Sequence, residues 1–313
     1  MTRRTFAASL AAISAWARRS GIGIDRLTVA TGSLAGFTLE AGLAEIKRLG
    51  FGGVEIFADL DRSHSIGRFP SAIVGRLTPR EKKVLRRQVG GFRHVTTHLP
   101  FHDLRPVDPD PAVRERSRAA IERGIADSGW WGASMATVHV ARENAGYRGV
   151  WKDLLDTYRH FGDLAAKNKL RIGIETGAPE TVAEYLALIR EIAHDHVGST
   201  VDTGHTRAYR RDAKLADAEL GSEMGRQCYN DLLMRKVEGL GPKLFHFHVD
   251  DVRASDWREH RALGQGIVDW TRLLRYLGDS GYQGVFAMEL EETAVVESLK
   301  QSREFFRGRL ESL

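Results

Sequence analysis

The chain has 313 residues, 42% of them hydrophobic and 28% charged, which excludes a disordered or fibrous protein. Its single cysteine, Cys228, excludes an internal disulfide framework and any cysteine-built zinc site. The net charge of +5 is too small to point to nucleic acid by itself, and the length suits one α/β barrel as well as two smaller domains.

Residues 1–20 read as a separate segment. Arg3-Arg4-Thr5-Phe6 precedes a short apolar run that ends in Ala15-Trp16-Ala17. A charged start, an apolar stretch and an A-x-A site predict an export signal. The paired arginines resemble the twin-arginine type, so a periplasmic or otherwise exported protein is expected. Cleavage after Ala17 would lower the charge to +3. The apolar run is shorter than the ~20 residues a spanning helix needs, and no membrane span is expected later in the chain.

From residue 21 to 313 strand and helix patterns alternate. Short β-branched runs predict strands at Leu27–Thr31, Gly53–Phe57, His94–His98, Ala136–Val140, Arg171–Glu175, Ser199–Asp202, Leu244–Val249 and Val285–Leu290. Apolar residues at spacings of three and four predict helices over Leu39–Leu49, Ala112–Ile125, Val150–Ala166, Thr181–Ala193, Trp270–Leu277 and Ala294–Phe306. Pro179-Glu180 reads as a helix start and Leu49-Gly50 as a helix stop. This repetition favours a closed (β/α)8 TIM barrel forming a single domain. No G-x-G-x-x-G follows the first strand, which argues against a dinucleotide-binding sheet. Asp59–Pro79 and Thr206–Gly241 are long connections that a barrel would place over its C-terminal mouth.

Seven strands in succession end on acid/base or metal-binding side chains: Glu55, His98, His139, Glu175, Asp202, His248 and Glu289. One such residue is ordinarily a satisfied structural hydrogen-bonder. Seven pointing at one mouth are not, because each buried carboxylate costs several kcal/mol unless a cation compensates it. A metal at the mouth is the simplest explanation.

His205 follows Asp202 by three residues and is expected to face the same mouth. His246 lies two before His248 on the same strand face and is expected to be a packed core histidine. Asp251 is a candidate outer partner or ligand. His260, before the turn Arg261-Ala262-Leu263-Gly264-Gln265-Gly266, is expected to bend into the mouth. Glu55 reads as a substrate hydrogen-bonder, with a structural ion pair as the alternative. His64, His94, His102, His160, His194 and His196 are expected to be solvated or structural, and Glu291 and Glu292 to be loop charges. Trp130, Trp131 and Trp151 are expected to pack between helices and barrel.

The motifs IGIET, VDTGH, FHFHVDD, HRALGQGIVDW and FAMELE, in this order, resemble the xylose isomerase-like barrel superfamily. That group includes epimerases of the tagatose 3-epimerase type, hydroxypyruvate isomerase, inosose dehydratase and endonuclease IV. The resemblance spans residues 27–306 and is strongest from Glu175 onward. It implies one divalent metal held by Glu175, Asp202, His248 and Glu289. It also implies substrate contacts from His205 and from a basic residue before the glycine-rich turn, Arg261 or His260. His98, His139 and Glu55 complete the expected substrate-binding set. A mostly oxygen donor set suits Mn²⁺, Mg²⁺ or Co²⁺, with Zn²⁺ as an alternative.

The implied activity is keto-sugar isomerisation or epimerisation through a metal-stabilised enediolate, with Glu175 and Glu289 exchanging the proton. A dehydratase or lyase would use the same intermediate. A small carbohydrate is the expected partner, with homo-oligomers possible and no nucleic acid. The main competing reading is an endonuclease IV-like zinc phosphodiesterase, and a third is a barrel that binds sugar without turnover. Against the nuclease, Arg258 stands where its pattern has an aspartate that binds a third zinc.

Overall fold

The structure, a computed structural model, describes residues 21–313 except 59–62, 65–66, 142–145 and 217–218. The expected export signal at 1–20 lies outside the described residues. Among the described residues no helix is long and apolar enough to cross a membrane.

Eight parallel strands close into a barrel: β1 (Leu27–Ala30), β2 (Gly53–Phe57), β3 (His94–His98), β4 (Met135–Val138), β5 (Arg171–Glu175), β6 (Val197–Asp202), β7 (Leu244–Val249) and β8 (Phe286–Met288). Each strand pairs with its sequence neighbours, and β1 pairs with β8 to remove both sheet edges. The main outer helices are α1 (Leu39–Arg48), α2 (Pro79–Val89), α3 (Pro111–Trp131), α4 (Trp151–Lys167), α5 (Val182–Ile192), α6 (Glu223–Leu240), α7 (Trp270–Asp279) and α8 (Val295–Ser312).

All eight expected strands are present, four with the expected bounds and four with ends shifted by one or two residues. Two helices are additional to those the periodicity predicts. Thr78 opens α2 with a capping box to Glu81 and Pro79 in the first turn. Ser222 caps α6, which occupies half of the expected long loop Thr206–Gly241. That connection therefore supplies the sixth outer helix, and only its first part overhangs the mouth. The expected helix start at Pro179-Glu180 falls at Thr181, whose hydroxyl accepts the Glu184 N–H.

Apolar packing lies between the strands and the helices, where Ile46, Val54, Ile56, Phe161, Ile172, Phe247 and Leu273 are almost completely buried. Inside the barrel the filling is polar, unlike the branched aliphatic layers usual there. Gly173 makes room for it: a Cβ at this position would lie 2.3 Å from the Thr200 hydroxyl. Trp131 is buried and Trp130 and Trp151 pack against the core, as expected.

Candidate metal centre at the barrel mouth

The interior polar groups form two layers. In the lower one, Glu55 is fully buried and accepts hydrogen bonds from Thr96 Oγ1 and His246 Nε2, both at 2.7 Å. Its other oxygen lies 2.7 Å from His248 Nε2. Burial opposes its charge, but the His248 and His246 imidazoles outweigh that and hold Glu55 well below the usual carboxylate range. Glu55 therefore sits beneath the cavity rather than on its wall. Its expected role as a substrate hydrogen-bonder is corrected to the alternative, a buried ion pair. His246 is the packed core histidine that its position on β7 predicts.

The upper layer is built on the opposite edge of His248. Its Nδ1 is 2.7 Å from Glu175 Oε1, 3.0 Å from Glu289 Oε2 and 3.9 Å from Asp202 Oδ2. These four residues come from β5, β6, β7 and the end of β8. Register explains the meeting: Asp202 pairs with His248 across β6 and β7, and Glu175 lies opposite Thr200. Burial of Glu175 is offset by His139, His248 and His205, which keep it ionised. Burial of Glu289 is likewise outweighed by His248 and His98, which bring it to about 2.

His98 and His139 close one side, with Nε2 atoms 3.2 Å apart. Both reach Glu175 Oε2, His98 at 3.6 Å and His139 more closely. Beside them Phe57, Phe69 and Phe101 form an aromatic wall. Gly32 permits it, since a Cβ there would lie 2.4 Å from the Phe57 ring. The cavity so enclosed has a volume of about 270 Å³, lined on its polar side by His98, His139, Glu175, His205, His260 and Glu289.

His205 is held by its backbone N–H on Asp202 Oδ1 at 2.9 Å and by Nδ1 near the Thr176 carbonyl at 2.8 Å. His260 faces the cavity with Nδ1 3.1 Å from the Glu289 carbonyl. Arg261 does not line it: its guanidinium donates to the Glu291 carbonyl and pairs with Glu292 at 3.4 Å. Of the two expected basic residues before the glycine-rich turn, the structure selects His260. Asp251 is also corrected. It accepts from the Val252, Val268 and Gly264 N–H groups and from Trp270 Nε1, which fixes the loop after β7 and leaves it no role as a ligand. His102 and Glu291 line the cavity, contrary to the expectation of structural and solvated roles.

Three further groups have no clear sequence signal. Asp250 is buried, and burial together with the Asp202 charge raises its carboxyl well above the usual range. Glu259 joins His205 and His260 in a cluster of donor atoms within 4.8 Å of one another. Lys236 on α6 is completely buried, donates to Thr206 Oγ1 at 2.8 Å and lies 4.4 Å over the Tyr209 ring. It anchors the Gly204–Tyr209 turn that carries His205.

The residues fit a divalent cation. His98, Glu175, His248 and Glu289 each offer a donor within 4.8 Å of the others, and Glu175, Asp202 and His205 form an overlapping set. Asp202 Oδ2 is buried and makes no hydrogen bond among the described residues. Such oxygens are costly unless something compensates them. His248 already has a carboxylate behind it, the outer arrangement that orients a metal-binding imidazole.

A polar mouth on a closed parallel barrel defines the class, and comparison places the chain within it. The model of the xylose isomerase-like TIM barrel family matches residues 43–309. The chain belongs to that family. Among solved structures it resembles an L-ribulose 3-epimerase, with 17% identity, a TM-score of 0.68 and coverage of 91% of this chain and 94% of that one. It also resembles the 3-keto-D-glucoside 4-epimerase of E. coli, at 17% identity, TM-score 0.63 and coverage of 90% and 99%. A xylose isomerase-like barrel protein of Mycobacterium smegmatis, in complex with magnesium, matches at 16% identity, TM-score 0.60 and coverage of 87% and 88%. At these identities the likeness concerns the fold.

Proposed function

We propose that the protein is a divalent-metal-dependent keto-sugar isomerase or epimerase. The observation that carries this reading is the pair Glu175 and Glu289, which come from strands three apart around the barrel, share His248 and both line one cavity. Glu175, Asp202, His248 and Glu289 would hold the cation, with Mn²⁺, Mg²⁺ or Co²⁺ matching the oxygen-rich set. Bound there, it would offset the negative charge that develops on a carbonyl oxygen when the adjacent C–H is deprotonated.

The chain's own groups do the rest. Glu175 and Glu289 are both held ionised and so are ready to accept a proton. Return of that proton to the neighbouring carbon gives isomerisation. Epimerisation requires the second carboxylate to take a proton from solvent and deliver it to the opposite face, while the first releases its proton to solvent. His205 and His260 project imidazoles toward the cavity, where sugar hydroxyls would find donors and acceptors. The aromatic wall offers an apolar surface for the sugar's C–H face and limits water. The epimerases among similar folds are consistent with this assignment.

Incubation with a panel of keto-sugars in D₂O, with Mn²⁺ and with chelator, tests the proposal. Metal-dependent deuterium at one carbon next to the carbonyl is the expected result. No exchange on any member would overturn it.

One observation favours a second reading, a multinuclear zinc phosphodiesterase. His98 and His139 converge on Glu175 Oε2, and Glu259 supplies a carboxylate to His205 and His260. Arg258, expected to repel an ion there, is exposed. Two or three tightly held zinc ions per chain with cleavage of abasic duplex DNA would establish this alternative.

A further inference from the structure

His205 lines more than one cavity. Besides the inner one it borders an outer chamber of about 390 Å³, whose charged walls are Glu180, Arg207, Arg210, Arg211 and Glu259. The two spaces differ in charge. The inner one is walled by Glu175 and Glu289, whereas three guanidiniums stand with two carboxylates in the outer one.

The arginines stand on a fixed support. Thr206 and Tyr209 are buried while Arg207, Arg210 and Arg211 face outward. Lys236 holds Thr206, and the Tyr209 hydroxyl accepts the Gly177 N–H at 2.9 Å. Arg211 is partly compensated by Glu180 at 3.4 Å. Among the described residues the Arg207 guanidinium makes no hydrogen bond or ion pair. Its nearby acid, Asp256, is already bound by Arg253 through two contacts of 2.8 and 2.5 Å. A neutral hydroxyl has no need of several guanidiniums, whereas a carboxylate or phosphate matches their forked geometry.

We propose that this outer chamber is a subsite for an anionic group, carboxylate or phosphate, at the end of the sugar remote from its reacting carbonyl. The inference rests on the keto-sugar reading and narrows it to acidic or phosphorylated substrates. The cation-binding floor would take the carbonyl end and the arginines the charged end, which fixes the direction in which the substrate lies.

The test is calorimetric titration of the full chain, loaded with Mn²⁺, with D-fructose, D-fructose 6-phosphate and 5-keto-D-gluconate at low salt. At least one charged sugar is expected to bind about tenfold tighter than D-fructose, with the advantage falling to within about threefold in Arg207→Ala/Arg210→Ala and being lost in Arg207→Glu. Preference for the phosphate alone or for the carboxylate alone identifies which anion the subsite takes. Equal affinities, no binding of any of the three, or an advantage that survives both variants would overturn the proposal. The last result would mean that the anion sits on the Mn²⁺. Deuterium exchange on the same sugars separates the two readings. Arginine-dependent binding without exchange would leave the subsite standing and sink the isomerase. Exchange at the same rate on neutral and charged sugars, with no effect of the variants, would do the reverse.

Discussion

The two polar layers inside the barrel bury similar groups in opposite ways. In the lower layer Glu55 is matched by Thr96, His246 and His248, so one carboxylate meets two imidazoles and a hydroxyl. In the upper layer Glu175, Asp202 and Glu289 crowd one edge of His248, so three carboxylates converge on one ring nitrogen. The upper layer therefore gathers more carboxylate at His248 than the lower one. Burial of charge alone therefore does not mark the site. The uncompensated excess does, and His248 joins the two layers through its two ring nitrogens.

If the upper layer performs proton transfer, Glu175→Gln and Glu289→Gln should produce the largest effects. Each is expected to lower solvent deuterium exchange by about 10²–10⁴-fold. A variant retaining more than a tenth of the wild-type rate would remove that residue from the acid/base pair.

A smaller effect is expected below. Glu55→Gln keeps the size of the side chain but weakens the acceptor behind His248, so cation affinity should fall by about 10–100-fold. Titration with Mn²⁺ measures this directly, and an unchanged affinity would show that the layers are independent.

Lys236 permits a test through stability. Burial lowers it from an ordinary 10.5 to about 7, with the Asp202 charge opposing only part of the shift. Because the folded value lies below the unfolded one, the buried ammonium penalises folding fully below pH 7. The penalty fades as pH rises from 7 to 10.5. At 1.36 kcal/mol per pKa unit its ceiling is about 5 kcal/mol. Lys236→Met should therefore raise Tm near pH 6.5 more than near pH 10. Lower stability of the variant at pH 6.5 would show that the bond to Thr206 outweighs desolvation.

The smallest effect belongs to Arg261→Lys. Its guanidinium is turned onto Glu291 and Glu292, away from the cavity, so exchange should change by less than about threefold. A loss above tenfold would return Arg261 to the substrate site.

Much of this was legible in the sequence because strand patterns are local. Runs such as GVEIF and TVD carry their own β signal, and their last residues fall at the mouth once the barrel is inferred. Glu175, Asp202, His248 and Glu289 were among seven strand ends placed at the mouth in this way, and only the family resemblance set those four apart. Glu55 misled because strand-end position does not give height in the barrel: its depth depends on pairing with His246 and His248, about 190 residues away. Arg261 and His260 could not be separated because left-handed backbone at His260, with φ of 62°, decides which side chain turns inward. Helix α2 escaped notice since PREKKVLRRQV buries only Leu85 and Val89, too few apolar residues for a periodic pattern. Lys236 gave no signal at all, because a lysine on a helix is ordinarily solvated.

Calorimetric titration of chelator-stripped protein with Mn²⁺, run beside Glu175→Ala and Asp202→Ala, measures the compensation directly. Saturable binding of one ion per chain, abolished or weakened at least about tenfold in both variants, is the predicted result. Absence of binding in the wild-type chain, or equal affinity in all three proteins, would contradict it.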